Sequence, residues 1–304
     1  MAPAESKAAL APESLRAMLG DDLYALVGAL PARVLGLTPI TSLNARRSSR
    51  ASFRIALEDG SVVKGRRLDS AFEAQRVARL TRHLGLPFIP AIIAQRGVAV
   101  IEPWTEGQAL AGAAPDESDV RACGALLGML HAALPPADAA KDIEIARGER
   151  LDRLGVNLRR LVSSGRIDAA AERRIRTAAE PVPSIPKIGL IHGDFCPENL
   201  IRTEDGAIVA IDNETLRFEA LDYDLARSWY RWRIDGSRLA AFLDGYATMR
   251  SPSDFQRHFS YWAICALVDS AVFRLGAEIA GADAVLRQLE SFVENHPAAG
   301  KSSA

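Results

Sequence analysis

The sequence predicts an α+β chain of two lobes, a small lobe on an antiparallel sheet followed by a larger helical lobe. Three observations lead there. Residues 51–57 and 61–68 both have strand-like composition, and Glu58, Asp59 and Gly60 supply the hairpin turn between them. The stretch 102–107, carrying Pro103 and Gly107, ends a strand just before mostly helical sequence begins. Apolar residues then recur at helical spacing, Val120, Cys123, Leu127, Leu130 and Leu134, until Pro135 stops them.

Each part follows in order. Leu15, Leu19, Leu23, Leu26 and Leu30 predict one amphipathic helix over 13–30. A second helix is expected over 71–84, with Phe72, Ala74, Val77, Ala78 and Leu80 as its apolar stripe and Gly85 and Pro87 as stop signals. Further strands are expected at 89–94 and 98–101, and helical patterns dominate from Leu221 onward. The division is therefore 1–101 for an N-terminal helix and sheet-rich lobe, 102–107 for a hinge and 108–296 for a helical lobe. The Ala, Ser, Pro and Gly content of 1–11 and 297–304 predicts frayed tails.

Bulk properties narrow the class. Hydrophobic residues make up 48% of the 304, enough for a core, and a formal net charge of −1 offers no overall field for nucleic acid or anionic lipid. No apolar run reaches the roughly 18 residues of a membrane span, and the N-terminus lacks the apolar core of a secretory signal. The expectation is a cytoplasmic protein with neither nucleic acid nor membrane as partner. Cys123, Cys196 and Cys265 are odd in number and without CxxC spacing, which predicts free thiols. Basic residues are almost all arginine, so Lys64 stands out among the few lysines.

The chemistry is concentrated in 191–212, IHGDFCPENLIRTEDGAIVAID. It reads as apolar strand, polar loop, strand, Asp205-Gly206 turn, strand and carboxylate. Asp194 and Asn199 lie on the loop and Asp212 ends the far strand, so the three can converge. Phosphoryl transfer needs divalent cations on phosphate oxygens, a carboxylate for the acceptor hydroxyl and a cation on the nucleotide. Hard oxygen ligands suit Mg²⁺. An Asp and an amide oxygen can hold the metal while a second Asp accepts the proton.

HGDFCPEN resembles the HGDxxxxN catalytic loop of the aminoglycoside phosphotransferase family, IDNE at 211–214 resembles its metal-binding segment, and YDLAR at 223–227 also fits. The resemblance covers roughly residues 35–290. It implies a protein-kinase-like two-lobed fold, ATP as co-substrate, Mg²⁺, and a small-molecule hydroxyl acceptor. By it, Asp194 is the catalytic base, Asn199 and Asp212 ligate Mg²⁺, and Asp224 braces the catalytic loop. Lys64 corresponds to the lysine on the nucleotide's phosphates and Glu73 to its ion-pair partner. IEPWTEG resembles the hinge that holds adenine, with Glu102 offering its carbonyl and Trp104 its N–H, and Pro103 between them. Where many members carry glycines over the phosphates, this chain has LNARRSSRAS at 43–52; Ser48 and Ser49 can cradle phosphate, and Arg46, Arg47 and Arg50 add charge.

His192 is read as shaping the catalytic loop, and the remaining histidines, His131 among them, as isolated packing or surface residues. Trp229, Tyr230 and Trp232 with Arg227, Arg231 and Arg233 either line an acceptor pocket or pack helices. Glu214, Glu219 and Asp222 either attract a cationic acceptor or are simply solvated. The reading is a metabolic or biosynthetic small-molecule kinase; an antibiotic-inactivating kinase or a non-catalytic nucleotide-binding module stands as the alternative.

Overall fold

The computed structural model describes residues 12–40, 50–112 and 115–296. By backbone contacts the chain divides into unit 1, Met1–Gln108 with Ile201–Thr215, and unit 2, Ala109–Leu200 with Leu216–Ala304. The expected division assigns all of 108–296 to one lobe; instead the hairpin strands and Asp212 cluster with the N-terminal sheet.

Unit 1 begins with α1 (Pro12–Leu19) and α2 (Asp21–Gly28), then β1 (Val34–Ile40), β2 (Ala51–Leu57), β3 (Val62–Arg67), α3 (Ala71–Leu84), β4 (Ala94–Arg96) and β5 (Ala99–Pro103). The single helix expected over 13–30 is broken at Gly20, whose φ of +73° belongs to the left-handed region and whose absent side chain makes room for Arg67. The sheet runs β1-β2-β3-β5-β4, antiparallel throughout. The strand expected over 89–94 starts only at Ala94, and the next extends to Pro103.

Alternation along the strands sorts the side chains. Phe53, Ile55 and Leu57 of β2 pack with Leu19, Leu23 and Val27 of the two helices into one core. On β3, Gly65 faces this core so closely that a Cβ there would come within 2.8 Å of Ile55 Cδ1. Lys64 and Arg66, one step either side, are thereby turned to the opposite face. Helix α3 starts on Ser70, whose hydroxyl accepts from Glu73 N at 3.1 Å, and ends at left-handed Gly85. Its buried side is Ala74, Val77, Ala78, Leu80 and Thr81, whereas Phe72, expected in the stripe, is 70% exposed.

Past β6 (Gln108–Ala109), unit 2 contains α4 (Glu117–Ala132), α5 (Ala140–Ser163), α6 (Ala169–Ala178) and β7 (Ile188–Ile191). The chain then forms β8 (Leu200–Arg202) and β9 (Ile208–Ala210), closed by Gly206 at φ +84°. It returns to unit 2 with β10 (Arg217–Ala220), which pairs antiparallel with β7, followed by α7 (Leu221–Trp232), α8 (Gly236–Ala247), α9 (Ser253–Arg257), α10 (Phe259–Gly276) and α11 (Ala282–Asn295). No unbroken apolar run of membrane-spanning length occurs in α10, since Asp269 and Arg274 interrupt it, although by length and composition it passes for a membrane span with mean hydropathy 1.2 over 18 residues. Within unit 2 it is a core helix that buries Trp262 through Val268.

Helices α4 and α8 meet at glycines: side chains at Gly124 or Gly245 would collide with the carbonyl oxygens of Phe242 and Arg121, respectively. Gly245→Ala is expected to lower unfolding stability by about 1–3 kcal/mol through overpacking, read as a shift in urea midpoint. Gly276→Ala, whose Cβ meets nothing within 4 Å, is the matched control and loses nothing.

Candidate active site

In unit 1 Lys64 and Arg66, on the face of β3 opposite Gly65, meet the end of the β8–β9 hairpin. Lys64 Nζ donates to Asp212 Oδ1 at 2.6 Å and lies 3.5 Å from Glu102 Oε1. Asp212 sits at φ +59°, a left-handed conformation that turns the chain sharply out of β9. Its side chain remains 38% exposed, against 11% for Lys64, so its oxygens stay reachable from solvent. Arg66 was not anticipated. Buried, it lies 3.4 Å from Asp212, 3.5 Å from Glu102 and 2.6 Å from Glu214. Burial works against its charge, but Glu214, Glu102 and Asp212 more than offset that and raise its pKa. Period-two alternation from Lys64 was the sequence signal for it.

Glu73 does not partner Lys64. It lies 3.3 Å from Arg50, which also reaches Asp69 at 2.8 Å and Glu214 at 3.7 Å. Lys64 satisfies its charge on Asp212 and Glu102 instead, and Arg50 draws Glu73 away. Ser48 and Ser49, with Arg46 and Arg47, lie outside the described residues.

A cavity of about 280 Å³ opens within unit 1, bordered by Lys64, Glu102, Trp104, Thr105, Ile211 and Asp212. The expected hinge contacts need revision. Trp104 N donates to Val62 O at 3.2 Å, so this N–H belongs to the sheet. Leu68 N to Val98 O continues the same ladder, and its register makes Lys64 and Glu102 a hydrogen-bonded pair. The backbone groups of Glu102 and Trp104 therefore face β3, and those of Pro103 and Thr105 face away from it.

In unit 2 the loop after β7 is held by one carboxylate. Asp224, fully buried on α7, accepts from His192 N and Gly193 N, both at 2.9 Å. His131 Nε2 is 3.2 Å from the same group. A carboxylate only accepts, so Nε2 carries the proton and donates, while Nδ1 lies 3.0 Å from Tyr246 Oη. Burial alone would raise Asp224's pKa; the hydrogen bond and charge of His131, with smaller contributions from His192, hold it below the usual range. His192 is buried, its Nδ1 accepting from Asp194 N at 3.3 Å and its ring edge-on to Phe195.

This loop presents Asp194. Asn199 Nδ2 donates to the Asp194 carbonyl and to Oδ2, each at 3.0 Å, and among the described residues its Oδ1 has no hydrogen bond. Arg227 and Arg231 approach the other carboxylate oxygen, Oδ1, at 3.2 and 2.8 Å. Cys196 is buried, and burial pushes its thiol up, away from the reactive thiolate.

Residues 40–258 match the phosphotransferase enzyme family, APH. The chain belongs to this family. No curated protein sequence is significantly similar to it. Among solved structures, an ethanolamine kinase of Plasmodium vivax is 12% identical with TM-score 0.65, covering 90% of this chain and 86% of its own. A choline/ethanolamine kinase family protein of Mesorhizobium loti is 17% identical with TM-score 0.65, over 89% and 93%. A macrolide 2′-phosphotransferase of Brachybacterium faecium is 17% identical with TM-score 0.64, over 91% and 98%. At these identities the likeness is one of fold, the two-lobed α+β fold of protein-kinase-like enzymes.

Other side chains of this phosphotransferase resolve alternatives that the sequence leaves open. Trp229 packs edge-on against Phe259 and Phe292, and Trp232 Nε1 donates to Phe195 O at 2.9 Å, so both serve packing. Glu219 is neither solvated nor free, because Arg150 grips both its oxygens, at 2.9 and 3.0 Å. His131, Arg227 and Arg231 were the unassigned contributors to the loop. Residues 224, 227 and 231 follow helical spacing, which was the available signal for the arginines.

Asp224→Asn is expected to lower stability at pH 7 by about 3 kcal/mol, since two buried N–H groups and His131 lose a charged acceptor. A depressed folded-state pKa stabilises above the unfolded value and is lost as pH falls through the folded one. The gap between wild type and variant therefore narrows in unfolding curves taken below about pH 4.

Proposed function

We propose that this phosphotransferase moves the γ-phosphoryl group of Mg·ATP to a hydroxyl of a small molecule. The observation that carries the reading is the Lys64–Asp212 pair at 2.6 Å bordering the unit 1 cavity, beside the backbone of Pro103 and Thr105. Lysine, hard oxygen donor and backbone groups turned away from β3 together suit a metal–nucleotide triphosphate.

The roles divide by element. Lys64 has an N–H to spare beyond Asp212 and Glu102 and takes the phosphate oxygens. In unit 1 the part-exposed Asp212 would serve as a Mg²⁺ ligand, and in unit 2 the Asn199 Oδ1 is a hard oxygen of the kind that ion prefers. When bound, Mg²⁺ neutralises charge on the phosphates. Asp194 orients the acceptor hydroxyl and takes its proton, kept in position by Asn199 and by the Asp224-pinned loop. Adenine uses Pro103 C=O and Thr105 N–H in place of Glu102 and Trp104, because the latter two are committed to β3. Pro103 contributes a carbonyl alone, so its missing N–H does no harm. A purely binding module would have no use for Asp194, which favours transfer. Two structural relatives, an ethanolamine kinase and a macrolide 2′-phosphotransferase, support the same class of acceptor, a hydroxyl on a small molecule.

Asp194→Ala should reduce kcat by about 1,000-fold or more in an ATP-consumption assay while changing ATP affinity by less than about twofold. Unchanged turnover would remove the assignment. Thr105→Pro, which deletes one N–H, should weaken Mg·ATP binding about tenfold by calorimetric titration. An affinity equal to wild type would return the contact to another residue.

A further inference from the structure

The surroundings of Asp194 are unusual for a base that serves a cationic alcohol. Oδ1 accepts from Arg227 Nη2 at 3.2 Å and from Arg231 Nη1 at 2.8 Å, while Oδ2 accepts from Asn199. Both arginines project from one face of α7, four positions apart. Arg227 spends a single N–H on Asp194 and makes no other hydrogen bond among the described residues. Arg231 uses its other amino group on Cys196 Sγ at 3.2 Å and lies 3.7 Å from Glu198, a carboxylate that is 58% exposed. One carboxylate thus faces two guanidinium groups whose side chains keep 17% and 29% of their surface open.

A lone structural ion pair would need only one of them. An ammonium group carried to Asp194 would meet both guanidinium groups, and like charges at that range repel. A carboxylate or phosphate on the acceptor would instead be matched by their planar N–H forks, which hold such anions bidentately. We propose that the acceptor is an alcohol bearing a carboxylate or phosphate group, with Arg227 and Arg231 gripping the anion while its hydroxyl reaches Asp194. This rests on the reading of Asp194 as the base. It makes Arg227 and Arg231 specificity-determining residues.

The test has two arms on the full chain. In the first, Mg·ATP turnover is measured with glycerate and sugar monophosphates, with neutral sugars, and with aminosugars and amino alcohols. Turnover is expected with an anionic acceptor, and Arg231→Met should raise KM for it about tenfold or more with KM for ATP almost unchanged. In the second arm, which needs no nucleotide, the same anionic alcohols are titrated calorimetrically. Arg227→Met and Arg231→Met should bind them about tenfold more weakly, and Asp194→Asn more tightly than wild type, because the arginines are freed from its charge.

Turnover confined to aminosugars would overturn the proposal. So would a wild-type chain that binds none of these anions, anion binding indifferent to both arginines, or a KM effect falling on ATP, which would assign the arginines to the transferred phosphoryl group. Failure of the kinase reading looks different, as a wild-type chain that binds no Mg·ATP. The anion titration decides the proposal in that case as well.

Discussion

Asp224 is a fully buried carboxylate that receives two consecutive backbone N–H groups and a histidine, and the loop after β7 takes its shape from it. A charge in that position is tolerable only because every one of those donors points at it. Loop and carboxylate thereby stabilise one another. Gly193 follows at φ +79°, a conformation that allows its N–H and that of His192 to reach the same side chain. His131 extends the arrangement into the helical core through Tyr246. Asp194 and Asn199 are positioned at the end of this chain of contacts, so the acid of helix α7 governs groups it does not touch.

The two units use charge in similar ways with different outcomes. In unit 2, Arg150 is 1% exposed, holds Glu219 with both ends of its fork, reaches Asp269 at 3.3 Å and stacks 3.9 Å over Tyr223. Burial, reinforced by Asp269, pushes the Tyr223 hydroxyl up to about 12. Such a closed network specifies packing. In unit 1, Lys64, Arg66 and Asp212 are linked just as tightly, yet Asp212 keeps more than a third of its side chain in solvent. Access distinguishes a site from a structural network here, since both are built from basic side chains on carboxylates.

The two substrates of a transfer reaction make different demands, and unlike groups answer them. Backbone atoms at Pro103 and Thr105, fixed by the register of β3 and β5, suit a nucleotide base whose hydrogen-bonding edge is constant. Side chains of α7 suit an acceptor that varies between members of a fold, because they can be exchanged without moving the sheet. Arg227 and Arg231 occupy one helical face with Asp224, so a single helix both braces the loop and flanks Asp194.

Much was legible in the sequence because it was written locally. The Glu58–Gly60 turn, helix Ala71–Leu84, the hairpin at Gly206 and the order of Lys64, Asp194, Asn199, Asp212 and Asp224 all depend on neighbours within a few residues or on a contiguous motif. What tertiary structure decided was pairing across distance. Nothing within 13–30 announces that Gly20 must yield space to Arg67, or that Arg50 takes Glu73 from Lys64. The register that turns Trp104 toward Val62 is set by hydrogen bonds between strands some forty residues apart, and the two arginines on Asp194 by the docking of α7 against the loop. A sequence states which residue types are available and how they alternate; which charge meets which depends on how far-separated segments pack, and that competition is settled only in the folded chain.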